Sequence, residues 1–60
     1  MKAETIRAAV IAVVEAERLT AQAERELFAW QAREATVALV QIRQARKRLE
    51  MLLKIHEEAA

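Results

Sequence analysis

The sequence predicts an all-α protein, built as one long continuous helix or as a two-helix hairpin, that assembles into a helical bundle or coiled coil. Three observations carry this. Gly, Pro, Ser, Asn and Asp are all absent from the 60 residues, and these are the residues from which turns, loops and caps are made. Ala, Glu, Arg, Leu, Gln, Lys and Met, the strong helix formers, fill 45 of the 60 positions. Apolar residues recur at alternating steps of three and four, which places them on one helix face.

In the first half that face is Ile6, Ala9, Val13, Ala16, Thr20, Ala23, Leu27 and Trp30. The same stepping resumes at Ala35, Ala38, Ile42, Ala45, Leu49, Leu52 and His56. Thr20 and His56 are the two positions of this seam that are not apolar. The halves do not share a register. From Trp30 to Ala38 is eight residues where a heptad needs seven, and such a skip either unwinds a supercoil locally or marks a chain reversal.

Two forms follow. A single rod of 60 residues would be about 90 Å long at 1.5 Å per residue. A hairpin would turn within residues 31–36, where Thr36 offers an N-cap but Leu39 stands where a capping box needs Glu or Gln. The missing turn formers favour the rod; the skip in register is the argument for the hairpin. Surface pairs at Glu4–Arg7, Glu15–Arg18, Arg46–Glu50 and Glu50–Lys54 suit a helix, at about 0.2–0.5 kcal/mol each. Glu57 and Glu58 oppose the dipole at the C-terminus and predict a frayed last turn.

Neither form shelters its apolar face alone. The second half adds another strip, Val37, Val40, Met51 and Ile55, roughly opposite the first. Two apolar faces on one helix predict an assembly of three or four helices, most simply a homo-oligomer, with another helix as the other partner. There is no Cys, so no disulfide can staple so short a chain.

Charge and chemistry exclude more than they suggest. Ten Lys and Arg against nine Glu leave a net charge of +1, too balanced for a strong polyanion binder. Residues 43–48 hold the one basic cluster, Arg43, Arg46, Lys47 and Arg48, a candidate patch for RNA or an acidic partner. On a helix these charges fan around the circumference, so a solvated, paired face is the plainer expectation. His56 has Leu52, Leu53, Ala59 and Ala60 at the positions that would supply a second metal ligand. Glu15/Glu17 and Glu24/Glu26 are two apart and diverge. With no Ser, Cys, Asp or Gly there is neither a nucleophile set nor a phosphate loop. No enzyme, cofactor or metal is expected. No stretch reaches the roughly 20 apolar residues of a membrane span, and the charged start fits a signal peptide poorly. The expectation is a soluble chain, cytoplasmic if made in a cell.

The restricted alphabet, the seam Ile6-Ala9-Val13-Ala16 with Leu49-Leu52, and the Ala59-Ala60 tail resemble artificial, de novo designed helical bundles and coiled coils. That resemblance spans the whole chain and implies a structural, self-associating role. Length and the hairpin form also look like small RNA-binding helical-hairpin dimers from plasmids, whose recognition residues have no counterpart here.

Overall fold

The computed structural model describes residues 2–59, and they form two antiparallel α-helices joined by a two-residue break. Helix α1 runs Ala3–Glu26 and helix α2 runs Ala29–Ala59. The longest dimension is 47 Å, half of what a continuous rod needs. Of the two forms the sequence allows, the chain takes the hairpin, and the rod favoured by the missing turn formers is not adopted.

The reversal falls at Leu27 and Phe28, ahead of the 31–36 stretch expected to hold it; Gln31–Thr36 is the interior of α2. Leu27 leaves α1 in extended conformation (φ −97°, ψ 162°), its N–H still bonded to the Ala23 carbonyl at 3.0 Å. The Phe28 carbonyl then accepts the N–H groups of Gln31 at 3.2 Å and Ala32 at 3.4 Å, which starts α2. Between them Ala29 takes φ 54°. A residue with a Cβ in that left-handed region costs roughly 1–2 kcal/mol. The chain thus turns without glycine by placing its smallest available side chain at the strained position. Accordingly, Ala29→Gly should raise stability by about 0.5–1 kcal/mol, the relief of strain less the extra entropy of the unfolded chain. The same change at Ala12, inside α1, should cost about 1 kcal/mol. Paired urea midpoints check both.

At the open end Lys2 is extended, and its carbonyl accepts Thr5 N–H at 3.0 Å and Ile6 N–H at 3.2 Å with no side-chain cap. Glu4 in the first turn suits the dipole there. Helix α2 continues through Glu57 and Glu58 to Ala59 rather than ending early. Arg7 of α1 reaches Glu57 at 3.0 Å, an ion pair that ties the two ends together.

Packing between the helices is thin. Ile6, 1% exposed, and Leu39, 4% exposed, are the only buried residues among those described. Around them α1 offers Ala9, Val13, Ala16 and Thr20 half-buried, and α2 offers Ala35, Ile42, Leu49 and Leu53. The radius of gyration is 13.9 Å, against about 10 Å for a compact chain of this length.

Candidate association surface

The contact face of α1 is centred on the line Ile6, Val13, Thr20. Residues three on from each fall to one side of it and residues four on to the other. Both flanks are partly covered in α1: Ala9, Ala16 and Ala23 on one side, Val10, Glu17 and Glu24 on the other. Helix α2 is different. From its line Ala35, Ile42, Leu49, His56 it turns the four-on flank inward, Leu39, Arg46 and Leu53. Its three-on flank, Ala38, Ala45 and Leu52, lies toward the other edge, with Ala45 and Leu52 exposed.

The sequence-derived seam is therefore split. Ile6, Ala9, Val13, Ala16, Ala23, Ala35, Ala38, Ile42 and Leu49 lie at or beside the contact between helices. Ala45 and Leu52 do not, and Leu27 and Trp30 belong to the turn region, Trp30 with 67% of its surface exposed. Leu39 and Leu53 were absent from the seam yet pack inward. Their signal was size, since leucine at the four-on position buries more apolar area than alanine at the three-on position.

The two long edges of the hairpin have opposite character. Every cross-hairpin polar side-chain contact among the described residues lies on the four-on edge. Thr36 donates its hydroxyl to the Glu24 carboxylate at 2.5 Å, a bridge between helices rather than a cap. Arg7 meets Glu57. Glu17, 17% exposed, stands 3.7 Å from Arg43 Nε and 3.5 Å from Arg46 Nε. The Arg46 Nε is buried without a directed hydrogen bond, with Glu50 3.7 Å away on its other side. Half of the basic cluster is thus turned to an acid of α1. Lys47 and Arg48 are exposed and have no ion-pair partner among the described residues.

On the opposite, three-on edge stand Leu19, Leu52 and Ile55, all exposed, with alanines between them and with Gln41 and Arg48 on the same side of α2. Of the other large exposed apolar residues, Ile11, Val14, Val37, Val40 and Met51 lie on the polar side or outer backs of the helices, and Leu27, Phe28 and Trp30 lie at the turn. So much exposed apolar surface on so short a chain marks interaction more often than a bare monomer surface.

Electrostatics elsewhere is local. Arg18 donates two hydrogen bonds to Glu15; these bonds hold the Glu15 carboxyl below its usual range and raise Arg18. A lowered carboxyl contributes stability above its ordinary pKa and loses it as pH falls through the lowered value, but solvent screens this exposed pair. Glu17 differs because it is mostly covered. Glu17→Gln should therefore cost about 1 kcal/mol in low salt and weaken the salt dependence of unfolding. Glu15→Gln should leave the thermal midpoint unmoved. Denaturation of both variants at two ionic strengths checks the contrast.

An open hollow of about 410 Å³ lies beside Lys47, Glu50, Met51 and Lys54. These come from one helix at spacings of three and four, with two like-charged ammonium groups and no converging set of reactive groups. His56 is half-buried near the open end. Among the described residues no three His, Cys, Asp or Glu side chains gather as metal ligands, and no helix is long and apolar enough to cross a membrane.

Comparison with protein-family models, with curated proteins and with solved structures gives no match. This agrees with the lack of natural-family motifs in the sequence, and the all-helical hairpin is compatible with a designed helical protein.

Proposed function

We propose that the chain is a structural, self-assembling module that acts through helix–helix association and has no catalytic activity. One observation carries this: among the described residues eleven large apolar side chains remain at least 36% exposed while only Ile6 and Leu39 are buried. A two-helix hairpin of this size has too little enclosed apolar surface to stand alone, and further helices are the simplest cover for what is left open. Three or four helices were expected in the assembly. Whole hairpins contribute helices in pairs, so of these two numbers four is the one that fits.

The other reading, recognition of RNA or an acidic partner through Arg43, Arg46, Lys47 and Arg48, has less behind it, because Arg43 and Arg46 face Glu17. Sedimentation equilibrium over a wide dilution series, followed alongside helicity, tests the proposal. Association with loss of helicity on dilution is the expected result. A fully helical single chain at every concentration would sink it.

A further inference from the structure

We propose that the outer side of α2 is a docking surface for an anionic lipid bilayer, on which the hairpin lies flat without spanning it. This goes beyond the association proposed above and uses a different face. Helix α2 meets α1 along Ala35, Ile42 and Leu49, and its outer side is the one opposite that line.

That side carries a short apolar strip. Val37, Val40 and Met51 lie along it, and Ile55 adjoins them from the three-on edge, all exposed. Gln44 interrupts the strip, and Arg33 and Glu58 stand at its two ends. From Val37 to Ile55 it is about 27 Å long at 1.5 Å per residue. Trp30 is exposed at the turn end, and tryptophan is among the side chains enriched at a membrane–water boundary.

Charge identifies the occupant. Lys47 and Lys54 flank the strip on one side and Arg48 on the other, with Arg33 ahead of it. All four are exposed, and none has an ion-pair partner among the described residues. Glu50 and Glu57 of α2 are turned instead to Arg46 and Arg7. In all, α2 holds six cations against four carboxylates, whereas α1 holds three against five. An apolar strip between cations matches an anionic bilayer. The apolar side chains enter the headgroup boundary, and the Lys and Arg stems lie beside them with their charges at the phosphates. A nucleic acid would set that strip against a polar backbone. A protein that wraps a basic helix is excluded, because α1 backs α2 from Thr36 to Glu57. A plane needs the outer side alone.

The test uses the full chain and vesicles of phosphatidylcholine, with and without an equal part of phosphatidylglycerol. Co-sedimentation should show binding to the anionic vesicles, little to the zwitterionic ones, and release by salt. Emission from Trp30, the one tryptophan, should shift to the blue on binding. The double variant Lys47→Gln/Lys54→Gln should bind about 10- to 30-fold more weakly. Val40→Gln/Met51→Gln should lose at least about 10-fold, with helicity unchanged. Ile11→Gln, on the outer back of α1, should bind like the parent. The proposal fails if the anionic vesicles are not bound, if the zwitterionic ones are bound as well, or if Ile11→Gln is impaired as much as Val40→Gln/Met51→Gln. It fails too if Val40→Gln/Met51→Gln binds undiminished, which would make a bare polyanion such as RNA the match for these cations. Association between hairpins, read by sedimentation without lipid, stands or falls separately.

Discussion

Truncating Leu39 to alanine is expected to destabilise the folded chain by about 2–5 kcal/mol, the range for removing a buried leucine side chain from a packed interior. Leu39 is 4% exposed and is one of two buried residues among those described, so little neighbouring core remains to close over the cavity. Leu52→Ala provides the contrast. Leu52 is 42% exposed in the single hairpin, and its truncation should act through association, changing the dependence of the unfolding midpoint on protein concentration. Leu39→Ala should lower the midpoint at every concentration. Guanidinium unfolding at several protein concentrations separates the two. Equal behaviour of the variants would mean that α2 turns its Leu52 flank, not its Leu39 flank, toward α1.

That contrast bears on how much of the fold could be read from the chain. The helical class follows from composition alone, and the line Ile6, Val13, Thr20 of α1 follows from spacing. The rotation of α2 does not. Its apolar residues satisfy both a three-on flank, Ala38, Ala45 and Leu52, and a four-on flank interrupted by Arg46. Judged one helix at a time, the uninterrupted flank looks like the seam. The deciding partner is Glu17, which lies on the other helix and becomes relevant to Arg46 only once the chain has folded back. With its guanidinium paired there, the Arg46 stem can lie along the interface, and Leu39 and Leu53 bury more surface than Ala38 and Ala45 would. The three-on flank is left on the open edge, so residues read as one seam divide between contact within the hairpin and exposed surface.

The turn was legible in position within a few residues but not in mechanism. The central line steps by seven through Ile6, Val13, Thr20 and Leu27, then by eight to Ala35. That extra residue is the trace of the reversal, and the break at Leu27 and Phe28 falls at the start of the interval. No residue type announces it, because the turn is made by an extended leucine and a left-handed alanine. Composition argues for a straight helix here and register argues against it, and in the folded chain register wins.

Deleting Phe28 should reverse that outcome and open the hairpin into a rod. The deletion restores a seven-residue step between Leu27 and Ala35, so the central line runs unbroken from Ile6 to His56. It also removes the carbonyl that starts α2, leaving too little chain between the helices to reverse direction. With no glycine or proline to stop it, the helix should continue through the junction and relieve the strain at Ala29. The apolar face would then find cover only between chains, giving an elongated oligomer of undiminished helicity. Small-angle scattering should show the maximum dimension rising from near the 47 Å of the hairpin to about 90 Å. The substitution Phe28→Ala retains chain length and should keep the short form. If the deleted chain stays short, the reversal is held by packing between α1 and α2 and not by the odd residue; the strained backbone at Ala29 would then be a consequence of that packing, rebuilt wherever the chain next allows it.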